Sequence, residues 1–205
     1  MKYLKRLVTS FFCAVALCVW FGGAQATEMH ISIPENSSMQ LRPPADEYSH
    51  LVSFQGEVQL QGQLLLISEY KATDYGENQE PLYFEWRTSL LFQPSPSERR
   101  KLPKVRYAHE PEEPSELWIE TDYLQEEEQK ARTITAIFGA EVAAKIGKEE
   151  FELGKRGYLT LRSYRTGVEC DHRDHYADFY SFDNTEDLSA SQVSELVKQI
   201  RGCGR

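Results

Sequence analysis

The chain has 205 residues, a formal charge of −9 and hydrophobic residues at 40%. That length suits one domain, or one domain with a tail, and is enough to bury a core without many covalent staples. The acidic balance disfavours binding to nucleic acid or to anionic lipid through a basic surface.

Residues 1–26 read as a secretory signal peptide. Lys2, Lys5 and Arg6 open it, an apolar run from Leu7 to Phe21 follows, and Ala24-Gln25-Ala26 is a small-residue cleavage site. The run is too short for a membrane span, which needs about 20 apolar residues. Cleavage after Ala26 leaves 179 residues, and losing three positive charges and no acids takes the formal charge from −9 to −12. The exported chain is expected to be periplasmic or secreted, with no further membrane span. A basic partner is favoured by its charge.

Two of the four cysteines, Cys13 and Cys18, leave with the signal. Cys170 and Cys203 remain, and in an exported chain they are expected to form a disulfide. Closing a loop of that length is worth about 3.7 kcal/mol in the chain-entropy account.

Residues 27–47 are polar, carry Pro34, Pro43 and Pro44, and read as an extended or flexible N-terminal arm. Residues 48–205 read as a single β-rich domain. From Val52 the pattern becomes strictly alternating. Val52, Phe54, Gly56, Val58, Leu60, Gly62, Leu64 and Leu66 share one face, and Gln55, Glu57, Gln59, Gln61 and Gln63 share the other. Gly56 and Gly62 fall on the inward face, where a missing side chain lets a long strand bend.

Residues 71–81 read as a polar turn. Alternation then resumes with Leu82, Phe84, Trp86, Thr88, Leu90 and Phe92 inward, which predicts a long hairpin. The next stretch is charged and proline-rich, with Leu102, Val105 and Tyr107 as its few core candidates. Leu117 to Thr121 is a short third strand. Residues 123–146 carry Ile134, Ile137, Phe138, Val142 and Ile146 at helical spacing, with Gly139 placed to split the helix and Gly147 to end it. Residues 157–170 and 175–182 read as strands. A last helix, 189–201, opens on a capping box of Ser189 and Gln192 with a Leu188–Val193 staple.

The order β-β-β-α-β-β, with a long glycine-bent first strand, resembles an OB-fold, the five-stranded Greek-key barrel, with an added C-terminal helix. The fold class is α+β, mostly β. An open α+β sheet and a lipocalin-like barrel are the alternatives.

The densest polar cluster holds Asp171, His172, Asp174 and His175. Imidazole and carboxylate suit a divalent metal, but a short turn between strands also collects solvated Asp and His, and adjacent side chains there diverge. No metal or cofactor is assigned. His109-Glu110-Pro111 begins like a zinc-protease helix but lacks the second His, and Pro111 would break the helix. No nucleophile elbow, phosphate loop or calcium loop is present. Tyr70, Tyr75 and Tyr83 gather near the first hairpin loop, where a tyrosine face can stack on a sugar or a peptide.

The expected function is an exported, non-enzymatic binding module of the periplasm or cell envelope, with a protein or glycan partner. One alternative is an inhibitor or immunity-type protein against a basic enzyme. Another is a metal-dependent enzyme using residues 171–175. In the OB resemblance the binding residues are Tyr75, Asp171, His172, Asp174 and His175, brought toward one rim. The oligomeric state is not fixed by the sequence.

Overall fold

A computed structural model describes residues 29–35, 37–43, 51–75, 81–107, 117–121, 127–169 and 172–202. The signal segment and both remaining cysteines fall outside the described residues. The chain is mostly β, a curled mixed sheet with a helix at its C-terminal end.

The two longest inward-outward patterns pair with each other as a hairpin. β3 is Leu51–Tyr75 and β4 is Pro81–Pro94, antiparallel, with Leu64 opposite Phe92 and Tyr70 opposite Trp86. β3 also pairs along its other edge with β7, Phe151–Glu169, from Leu51 opposite Gly167 to Ser68 opposite Phe151. β7 pairs in turn with β8, His172–Asp187. The short strand β6, Ile119–Glu120, joins β4 antiparallel and β8 parallel, through Glu120 opposite Tyr176.

The N-terminal stretch is extended where it is described. β1, Met29–Ser32, pairs with β5, Lys104–Tyr107, and β2, Gln40–Arg42, pairs with β3 at Ser53–Gln55. Ser38 lies over Gly56, whose φ is +147°, and a Cβ there would sit 2.3 Å from the Ser38 carbonyl oxygen. Gly62 stands opposite both Pro94 and Gly157, where β3 is held on its two edges at once. A Cβ on Gly62 would fall 2.2 Å from the Gln93 carbonyl oxygen. Absence of side chains at these points lets the strand curl.

The main core is built from the expected inward face of β3. Phe54, Leu60, Leu64 and Leu66 are buried with Leu90, Phe92, Leu159 and Leu161. Leu102 and Val105 join it, as their isolation in a charged stretch suggested. Helix α1, Glu127–Phe138, inserts Ile134 into this core. Gly139, at φ +94°, separates α1 from the short α2, Ala140–Ala143, and Gly147, at φ +71°, follows.

Alternation fails at Leu65 and Ile67, which are buried as well. The cause is helix α3, Ala190–Gly202, which covers the outer face of the sheet. Its Val193, Leu196, Val197 and Ile200 pack on Leu65, Ile67, Leu91 and Trp118 as a second core. The capping box forms. The Ser189 amide donates to Gln192 Oε1 at 2.9 Å, and the Gln192 amide reaches Ser189 Oγ at 3.4 Å. Leu188 packs beside Val193.

Several boundaries differ from those read in the sequence. Lys71 to Tyr75 belong to β3 and not to a turn, β7 begins at Phe151, and β8 runs to Asp187. Residues 183–187 are polar and exposed and carry no alternating signal, whereas Phe151 and Leu153 do alternate, with Phe151 packed on the main core, but two positions are too few for the period to register.

Among the described residues no helix is long and apolar enough to cross a membrane.

Candidate binding surface

The Asp/His cluster divides on folding. Asp171 lies outside the described residues. His172 opens β8 opposite Glu169, and Asp174 is half-buried opposite Gly167. His175 is not a solvated turn residue. It is only 4% exposed, and its Nδ1 lies 2.7 Å from the Tyr164 hydroxyl. The Tyr164 ring stacks between His175 and Phe54, at centroid distances of 6.0 and 6.2 Å. Arg99, Leu102, Lys104 and Leu117 close a cavity of about 30 Å³ over this pair, room for a water-sized group. His175 is therefore a core residue that helps position Tyr164. The pattern of the sequence hid this, because β8 begins three residues earlier than its alternation suggests.

The pairing register keeps the two expected loops apart. Gly167 lies opposite Leu51, so the turn between β7 and β8 stands beside the start of β3. Tyr75 is the last residue of the same strand, opposite Pro81. The route through β4 and β6 agrees. β8 runs antiparallel to β4, so His172 lies toward Pro94 and away from Pro81. Tyr75 and the residues 172–175 do not share a rim. Among the described residues no group of three or more His, Cys, Asp or Glu stands in metal-holding geometry. The expected Cys170–Cys203 bridge lies outside the described residues; Glu169 ends β7 and Gly202 ends α3. Arg201 reaches Glu152 at 2.9 Å, near the opposite end of β7 from Glu169.

A different surface gathers ligand-competent side chains. Beyond Ser68 the β3–β4 hairpin continues as a two-stranded arm, since pairing with β7 has ended. Alternation carries the inward face of the core onto this arm. Tyr70, Phe84 and Trp86 lie on the same face as Leu66 and Leu90, yet they are 50%, 44% and 36% exposed. The Tyr70 ring is 5.6 Å from Phe84, 23° from parallel, and 5.3 Å from Trp86. Cover from α1 reaches Thr88, whose carbonyl accepts from Lys130 Nζ. The reverse face carries ion pairs, Lys71 on Glu69 at 2.9 Å and Arg87 on Glu85 at 3.1 Å, beside the exposed Tyr83.

Sequence reasoning placed Phe84 and Trp86 in the core. The available clue was length. The apolar face of the hairpin is longer than the elements that follow it are able to cover.

Next to Tyr70 an open groove of about 410 Å³ runs between β3, the start of β7 and α3. Ser68, Glu69, Glu150, Glu152 and Arg201 line it. The Tyr70 amide donates to Glu150 Oε1 at 3.1 Å, and Ser68 Oγ donates to the Glu149 carbonyl at 3.0 Å. Arg201 lies between Glu152, at 2.9 Å, and Glu69, at 3.6 Å. The groove thus carries three carboxylates against the Arg201 guanidinium and the Lys71 ammonium that also holds Glu69.

No protein-family model matches the chain, and no curated protein or solved structure matches it either.

Proposed function

We propose that this is an exported, non-enzymatic binding module of the periplasm or cell envelope, and that its contact surface is the aromatic arm of the β3–β4 hairpin. The observation that carries this reading is the adjacent, solvent-facing set of Tyr70, Phe84 and Trp86. Contiguous exposed aromatics are costly to leave in water and mark interaction sites, and Tyr and Trp are enriched among the residues that dominate binding energy. The signal-like residues 1–26 support export.

The underlying scaffold is an OB-like five-stranded barrel with an added helix. Its support is the ring of pairings β3–β4–β6–β8–β7–β3, the parallel β6–β8 contact and α1 lying between β6 and β7. OB folds present ligands on an exposed sheet face flanked by long loops. The partner is a protein or a glycan. The charge of −12 and the acidic groove beside the arm favour a basic one.

The test is capture of native envelope components on immobilised protein, wild type against a Tyr70→Ser, Phe84→Ser, Trp86→Ser variant. Both proteins are first matched for melting temperature. Binding is expected to fall at least about tenfold in the variant, about 1.4 kcal/mol. Equal capture by both would remove the arm from the function.

A further inference from the structure

We infer that the open edge of β3 from Tyr70 onward, together with the acidic groove beside it, receives an extended basic polypeptide as an added strand. This rests on the binding-module reading and names its partner.

Three observations converge. First, the edge is unfinished. Pairing with β7 stops at Ser68 opposite Phe151, while β3 continues to Tyr75 with β4 on its other side. Among the described residues no strand takes up the β7 side of this stretch. Unpaired strand edges are templates for another chain.

Second, the first amide of that edge is already engaged by a substitute. Tyr70 N–H donates to the Glu150 carboxylate at 3.1 Å and not to a backbone carbonyl. A side chain thus occupies the place that a partner strand's carbonyl would take. By the alternation of strand amides, Ala72 N–H points to the same side. An incoming strand can displace Glu150 from Tyr70, and the freed carboxylate then faces the incoming side chains.

Third, the groove along this edge has a charge. Glu69, Glu150 and Glu152 line it, Arg201 is shared by Glu69 and Glu152, and Lys71 also pairs with Glu69 at 2.9 Å, which leaves an excess of one negative charge centred on Glu150 and Glu152. A Lys or Arg side chain at the start of the added strand, on the Glu69 face, would meet these carboxylates. An acidic strand would meet like charge. Neighbouring Tyr70 supplies an aromatic anchor at the point where the added strand begins. Main-chain bonds would give affinity, and the acidic groove would give selectivity.

The test uses the purified protein and two capped peptides, one of alternating Lys and Val and one of alternating Glu and Val, titrated by calorimetry. The Lys–Val peptide is expected to bind, and the Glu–Val peptide to bind at least about tenfold more weakly. N-methylation of the Lys–Val peptide at alternate residues, on the edge that faces β3, should cost at least about tenfold. So should the double substitution Glu150→Lys, Glu152→Lys, at unchanged melting temperature. Failure of the Lys–Val peptide to bind, equal binding of the two peptides, or indifference to N-methylation would each overturn the inference. Concentration-dependent dimerisation abolished by Ala72→Pro would also overturn it, by giving the edge to a second copy. If the peptide fails while envelope capture still depends on Tyr70, Phe84 and Trp86, the edge proposal falls and the binding-module reading stands.

Discussion

Glu98 ties the short 3-10 helix Glu98–Lys101 to β3 with one carboxylate. Its Oε2 accepts from the Gln61 amide at 3.1 Å and from Lys101 Nζ at 2.6 Å, and Lys101 also reaches the Gln59 carbonyl at 3.3 Å. Burial pushes its pKa upward, but the Lys101 ammonium and the Gln61 amide outweigh that and leave it below the ordinary 4.5. A carboxyl lowered on folding stabilises above its unfolded pKa and loses that contribution as pH falls through its folded one. Glu98→Gln should therefore cost about 1 kcal/mol at pH 7. The gap to wild type should close progressively below about pH 4.5. A gap that persists undiminished at the acid end would show that geometry, not charge, sets the cost. Gln59 and Leu60 give a simpler contrast on the same strand. Leu60 is fully buried and Gln59 exposed, so Leu60→Ala should cost about 2–5 kcal/mol and Gln59→Ala within about half a kcal/mol. Chemical denaturation reads both.

At the scale of elements, what the sequence revealed followed from periodicity and from caps. The inward face of β3, the split at Gly139 and the box at Ser189 each depend on a local rule, and each is present in the fold. What was hidden depends on tertiary cover. Leu65 and Ile67 break the alternation because α3 supplies a second core, and no local pattern says that a distant helix will lie there. Phe84 and Trp86 follow the inward pattern but outrun the cover. His175 sits in a polar string, and only the pairing of β7 with β8 brings it to Tyr164. The candidate site was legible as a tyrosine-rich hairpin and misplaced by its partners. Since Ser189 caps the helix that closes the second core, Ser189→Ala should lower stability by about 0.5–2 kcal/mol. The loss should fall on the global transition. A separate early melting of α3 in helical circular dichroism, with tertiary signals unchanged, would show that the two cores are not coupled.

For the whole molecule, β3 is the element on which everything else depends, and its two ends live in different environments. Between Val58 and Ser68 it is bonded to β7, and from Gly62 onward to β4, with Leu64 and Leu66 in one core and Leu65 and Ile67 in the other. From Glu69 to Tyr75 it keeps only β4 as a strand partner among the described residues, and the arm it forms is exposed on its aromatic face. A two-stranded ribbon alone is marginal in water. Opening of the arm breaks few buried contacts, whereas opening of the middle dismantles both cores at once. Native-state hydrogen exchange should therefore divide this single strand. Amides from Leu64 to Ile67 should exchange only through global unfolding, with protection that tracks the denaturant-measured stability. Amides from Lys71 to Tyr75 should exchange through local opening, at least about a hundredfold faster, with little denaturant dependence. Occupation of the arm by its partner should slow the second set and leave the first unchanged. Uniform protection along the strand would mean that the arm is already covered within the molecule, and would take from it the role of contact surface.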